Sequence, residues 1–147
     1  MKAINEVKIT LPSYSANEGF ARVAAAGFFA QMDPTVEEIA DIKTAVSEAV
    51  TNCIVHGYQD RIGMIHIHAQ MFEGGLIKIK IKDKGCGIPD IKLAMEPMYT
   101  TCQTGERAGL GFAVMESFMD KVRVYSAVGR GTTVVLTKRI LSRAENG

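Results

Sequence analysis

The chain has 147 residues, 47% hydrophobic and 22% charged, with 17 Lys and Arg against 16 Asp and Glu for a formal charge of +1. That length holds one domain with one sizeable core, and the composition excludes disordered and collagen-like chains. The near-zero charge gives no broad electrostatic reason to expect nucleic acid or an anionic membrane as the main partner. Residues 4–11 alternate, Val7, Ile9 and Leu11 against Glu6, Lys8 and Thr10, which predicts a half-buried strand stopped by Pro12. Ser15-Ala-Asn-Glu18 reads as a capping box that opens a helix with Phe20, Val23, Ala24, Gly27 and Phe28 as its apolar stripe. Asp33-Pro34 offers an N-cap and an N1 proline to a second, longer helix. The core stripe of that helix is Ile39, Ile42, Val46, Ala49, Val50 and Cys53, and Gly57 is its stop.

Period two then returns. Ile65, Ile67, Ala69 and Met71 alternate with His66, His68 and Gln70, Glu73-Gly74-Gly75 turns the chain, and Ile77, Ile79 and Ile81 alternate with Lys78, Lys80 and Lys82. This is the clearest hairpin in the sequence. From Asp83 to Gly111 the periodicity fails, apart from a short helical turn near residues 91–95. A stretch of that length inside a compact domain is a functional lid or a disordered segment. A helix over Gly111–Met119 follows, with Phe112, Met115 and Met119 inward. Two strands, 121–127 and 132–138, are joined through Gly129-Arg130-Gly131, and residues 142–147 read as a frayed tail. The order β-α-α-β-β-lid-α-β-β predicts an α+β two-layer sandwich, a mixed, mostly antiparallel sheet with helices on one face.

The three cysteines, Cys53, Cys86 and Cys102, form no Cys-x-x-Cys pair and fit neither a disulfide framework nor a zinc site. Met1 leads straight into Lys2-Ala3-Ile4-Asn5-Glu6 without a secretory signal, and no apolar run nears the ~20 residues of a membrane span. A single cytoplasmic domain over residues 1–147 is the expectation.

Four segments carry residues suited to chemistry. On the second helix, Glu48, Asn52 and His56 stand at i, i+4 and i+8 and share the face opposite the apolar stripe. A solvated helix face accounts for them as readily as an acid and an amide turned toward a cleft. In a cleft, an Asn carbonyl oxygen suits Mg²⁺, a hard cation that takes its other oxygens from phosphates. Asp83-Lys-Gly85-Cys-Gly87 follows a strand. A glycine-rich turn is one reading; the other is a carboxylate that accepts the exocyclic amine proton of a purine while the glycines admit the ring. Gly105-Glu-Arg107-Ala-Gly109-Leu110-Gly111 precedes a helix, where successive N–H groups make an anion site, and neither Rossmann nor Walker context fits it. Gly129-Arg-Gly131-Thr132-Thr133 closes the last hairpin and by itself is an ordinary turn.

Taken in order, Glu48-x3-Asn52, Asp83-x-Gly85-x-Gly87, a lid ending in Gly109-x-Gly111, and Gly131-Thr132-Thr133 resemble the N, G1, G2 and G3 boxes of the GHKL ATP-binding superfamily. The resemblance spans nearly the whole chain. The runs Ser47-Glu-Ala-Val-Thr-Asn-Cys-Ile-Val-His-Gly-Tyr58, Glu18-Gly-Phe-Ala-Arg22-Val and Gly111-Phe-Ala-Val-Met-Glu-Ser-Phe-Met-Asp120 look most like the anti-sigma F serine kinases of endospore-forming bacteria.

The resemblance implies one GHKL (Bergerat) domain that uses ATP or ADP with Mg²⁺ and has a lid over about residues 90–108. Asn52 would hold Mg²⁺, Glu48 would be the catalytic base, and Asp83 would read the adenine amine beside Gly85 and Gly87. Gly109, Leu110 and Gly111 would present amides to the phosphates, with Thr100 and Thr101 of the lid also on the nucleotide. Thr132 or Thr133 would support the adenine contact, and Arg107 would reach the γ-phosphate or a docked partner. The implied reaction is phosphotransfer from ATP to a serine of an anti-anti-sigma factor. The implied partner is sigma factor F, kept from RNA polymerase, and the implied state is a homodimer meeting at the first strand's edge or the first helix's face.

Arg22, away from the boxes, is either a solvated helix arginine or a sigma-docking contact. His56 is a helix-end residue whose charged form suits the dipole. Cys53 and Cys86, inside two boxes, would make nucleotide binding sensitive to alkylation. The alternatives are an ATP-ordered sigma-binding module without chemistry and a detached histidine-kinase catalytic domain.

Overall fold

The structure is a computed structural model and describes residues 2–95 and 110–141. The elements are β1 (Asn5–Pro12), α1 (Asn17–Phe29), α2 (Val36–Asn52), β2 (Met64–Met71), β3 (Leu76–Asp83), α3 (Ile91–Ala94), α4 (Phe112–Phe118), β4 (Lys121–Ala127) and β5 (Gly131–Arg139). The strands form one sheet in the order β1-β2-β3-β5-β4. Every neighbouring pair is antiparallel, so the sheet expected to be mixed and mostly antiparallel is antiparallel throughout.

The alternation read from the sequence sets the two faces. Ile65, Ile67, Ala69 and Met71 of β2 and Ile77, Ile79 and Ile81 of β3 are buried with Val134 and Leu136 of β5 under the helices. Burying each large aliphatic side chain stabilises the fold by about 1.5–3 kcal/mol. Helix α2 contributes Ile42, Val46, Ala49, Val50 and Cys53 to the same core, the stripe expected of it. Helix α4 adds Phe112 and Met115, with Met119 just beyond its end. Among the described residues, no helix is long and apolar enough to cross a membrane.

Helix α1 departs from expectation in two ways. Its N-cap is Ala16, which has no polar side chain to cap it, and Glu18 accepts a 2.8 Å hydrogen bond from Ser47 Oγ on α2. Its buried stripe is Ala21, Ala25 and Phe29, while Phe20 and Val23 are 57% and 60% exposed. Small residues let two helices approach closely, and that approach places the larger pair outward.

The start of α2 also moves. Asp33 adopts a left-handed φ of 52°, and Thr35 is the N-cap, closing a capping box with Glu38 in which both reciprocal bonds form. At its other end α2 does not stop at Gly57: Cys53–Tyr58 continue as a π-helical turn that ends where Gln59 takes φ 57°. Such wide turns concentrate at functional sites.

Candidate functional site

Helix α2, its π-turn, the end of β3, the start of β5 and the entry to α4 enclose one cleft, lined among others by Asn52, Cys53, Asp83, Gly87, Leu110 and Thr132. Asn52 is fixed by donating its amide Nδ2–H to the Leu110 carbonyl. Its Oδ1 is buried and has no hydrogen-bond partner among the described residues. An acceptor oxygen buried without a donor costs on the order of 1–3 kcal/mol unless a ligand or ion supplies one. One turn earlier, Glu48 lies against Gly111, where an added Cβ would collide with its carboxylate. Gly111 has φ 72° and stands at the N-cap of α4, so the position requires glycine twice over.

Asp83 ends β3 and is buried, 4% exposed. Its Oδ1 accepts from the Gly85 N–H at 2.8 Å, and the Cys53 thiol and the Thr132 backbone also hydrogen-bond it. Burial pushes the Asp83 carboxyl above its ordinary value, opposed by those donors. The Cys53 thiol is pushed well up, first by burial and then by the neighbouring Asp83 carboxylate.

The loop after Asp83 is pinned on both sides. Cys86 donates its N–H to Gly57 O at 2.9 Å and its thiol to His56 O at 3.0 Å, and its own carbonyl accepts from the Gly129 N–H at 2.8 Å. A side chain on Gly57 would press within 2.9 Å of Asp83 Oδ2, and Gly87, at φ 79°, abuts the Ala127 carbonyl. Gly57 and Gly85 therefore let backbone approach the carboxylate closely.

A sequence profile described as Histidine kinase-like ATPase domain matches residues 12–138. The Anti-sigma F factor of Thermoanaerobacter pseudethanolicus is 54% identical over 140 residues, covering 95% of this chain and 97% of that protein. The Anti-sigma F factor of Geobacillus kaustophilus is 50% identical over 137 residues, covering 92% and 93%. The chain belongs to the histidine kinase-like ATPase family and, within it, to the anti-sigma F factors. Among solved structures, the RsbU and RsbW domains of Rv1364c from Mycobacterium tuberculosis share 25% identity at a TM-score of 0.69, covering 92% of this chain and 32% of that one. The catalytic domain of histidine kinase ThkA shares the fold at 13% identity and a TM-score of 0.59, covering 93% and 99%. Family membership makes this a kinase-like, ATP-binding domain with an anti-sigma role.

Of the residues expected at the site, Asn52, Asp83, Gly87, Leu110 and Thr132 line the cleft, Gly85 packs beneath it on Gly57, and Glu48 meets Gly111 at its rim. Thr133 does not belong. Register pairs Asp83 with Thr132, and side chains alternate, so Thr133 stands on the opposite face of the sheet. Thr100, Thr101, Arg107 and Gly109, with most of the expected lid, lie outside the described residues. Arg22, expected away from the boxes, lines a surface hollow together with Ser47 and Glu48 and sits 3.7 Å from Glu18. Cys53 is buried with its thiolate disfavoured, and Cys86 is exposed.

Two supporting residues went unread. Tyr58 OH donates to Met64 O at 2.6 Å and accepts from Lys84 N at 2.8 Å, tying the π-turn to both neighbouring strands. Ser126 Oγ accepts from Ile88 N and lies 2.8 Å from Thr132 Oγ1, joining the glycine loop to β5. Neither breaks its element's periodicity, so no signal marked them.

Proposed function

We propose that the chain is an anti-sigma factor and protein serine kinase. It binds ATP–Mg²⁺ in the cleft, transfers the γ-phosphoryl group to a serine of an anti-anti-sigma factor, and in the cytoplasm holds sigma factor F away from RNA polymerase. The observation that carries this reading is the partnerless Asn52 oxygen and the Asp83 carboxylate lining one cleft, with Glu48 one helical turn before Asn52 and against Gly111. The names of its relatives point the same way.

In this reading Asp83 accepts the adenine amine in the cleft lined by Gly57 and Gly87, with Gly85 packed beneath on Gly57. The amides at Leu110 and Gly111 face phosphate, and Thr132 supports the base. Thr100, Thr101, Arg107 and Gly109 are assigned to the nucleotide by family resemblance alone. Asn52 Oδ1 would hold Mg²⁺. Mg²⁺ takes few protein oxygens and completes its shell from phosphate and water. When bound, the ion neutralises charge on the transferring group.

Incubation with γ-labelled ATP, Mg²⁺ and the antagonist protein tests the reaction: an acid-stable phosphoserine on the antagonist is expected. Acid-labile label on histidine would move the assignment to a histidine kinase, and ATP binding without transfer would leave only a sigma-binding module.

Arg22, half-exposed beside the Glu48 hollow, is the proposed partner contact. Arg22→Ala is expected to weaken sigma capture in a pull-down while ATP affinity is retained; a loss of ATP affinity would defeat the assignment. The proposed homodimer has two available surfaces, the open edge of β1 and the outward pair Phe20 and Val23 on α1. Placing glutamate at both Phe20 and Val23 is expected to yield monomer by light scattering, and an unchanged mass would remove the helix face from the interface.

A further inference from the structure

The sheet face turned away from the helices carries a second, independent feature. Strand register lays three rungs across β3, β5 and β4: Lys78–Thr137–Lys121, Lys80–Val135–Arg123 and Lys82–Thr133–Tyr125. Strands lie about 4.8 Å apart and same-face residues repeat about every 6.8 Å. Two rails of long side chains therefore stand about 10 Å apart over a floor of short β-branched ones. Among the described residues lining this trough, five are cationic and none is acidic. In a chain of 17 basic and 16 acidic residues, that is a marked segregation of charge. On the same face, Glu6 of β1 is taken up by His68 at 2.5 Å.

We propose that this trough is a docking site for an extended, acidic polypeptide segment of a partner protein, separate from the cleft on the helix side of the sheet. An extended chain places alternate side chains about 6.8 Å apart, the repeat of the rails, so carboxylates on every second residue meet successive cations. Four of the five cations are lysines, point charges suited to single carboxylates rather than to the bidentate clamp of arginine. Single-stranded nucleic acid fits less well, because its tolerant binding relies on aromatic stacking platforms and, among the described residues, Tyr125 is the one aromatic lining the trough. A second copy laid face to face would set the same five cations against each other.

The proposal does not depend on the kinase reading. A fluorescein-labelled twelve-residue peptide alternating Glu and Thr is titrated by anisotropy into the full chain at low and physiological salt. A peptide of equal composition with its glutamates in one block, and a twelve-nucleotide oligothymidine, are compared with it. The alternating peptide is expected to bind about fivefold or more tighter than the block peptide, with affinity falling as salt rises. Lys80→Glu with Arg123→Glu should abolish binding, and the milder Lys80→Gln with Arg123→Gln should weaken it about tenfold. ATP affinity should be retained in both variants, which reports their folding. Equal affinity for the two peptides, tighter binding of oligothymidine, no binding of the alternating peptide, or binding unmoved by the glutamine pair would each overturn the proposal.

Discussion

Glu48→Gln is expected to slow phosphotransfer to the antagonist by about 10²–10⁴-fold, the usual worth of a general base. ATP affinity should stay close to that of the unsubstituted chain. The separation follows from position. Glu48 sits one helical turn before Asn52 on the same face of α2, and its carboxylate lies against Gly111 at the rim of the cleft rather than beside Asp83. Glutamine keeps the shape of that contact and removes only the ability to take a proton from an incoming hydroxyl. Since positioning and charge neutralisation supply most of the barrier reduction in phosphoryl transfer, slow residual turnover should persist. Single-turnover transfer of labelled phosphate, alongside calorimetric ATP titration, reads both quantities. Equal transfer rates for the two proteins would remove Glu48 from the chemistry, and a parallel loss of ATP affinity would make it a binding residue instead.

Where one periodic signal acts alone, sequence and structure coincide. Alternation in β2 and β3 and the apolar stripe of α2 each describe a segment facing one core, and each is found as read. Disagreement arises where two signals compete for the same residues. Ser15 and Glu18 satisfy the capping-box pattern, as do Thr35 and Glu38, but Glu18 is drawn into the tertiary bond with Ser47 and only the second box forms. On α1 the larger residues mark one stripe, yet the buried stripe is Ala21, Ala25 and Phe29, offset from it around the helix. The π-turn after Asn52 is an i→i+5 pattern that apolar spacing does not encode, and it carries Gly57 to Asp83. Thr132 and Thr133 could be separated only once the register with Asp83 was known, since a shift of one residue exchanges the faces.

Asp83→Asn is expected to weaken adenine-nucleotide binding by about 10- to 150-fold, the equivalent of about 1.5–3 kcal/mol for a hydrogen bond to a charged group. The unsubstituted chain should also show a pH dependence that the variant lacks. Burial raises the Asp83 carboxyl above its ordinary 3.8, so it takes up a proton earlier on acidification than an exposed aspartate would. The adenine amine needs the ionised form as acceptor, and nucleotide affinity should therefore fall as pH drops through that raised value. Stability moves the other way. A folded-state carboxyl pKa above the unfolded one means that the folded form binds the proton more tightly, so Asp83 contributes more stability once protonated than when ionised. Calorimetric titration of ATP between about pH 8 and pH 5, paired with thermal melts of the nucleotide-free protein, separates the two trends. Binding that weakens toward acid in the unsubstituted chain but not in Asp83→Asn, with no matching loss of melting temperature assignable to this residue, places the ionised carboxylate on the base. Parallel pH profiles for the two proteins would put adenine recognition elsewhere in the cleft.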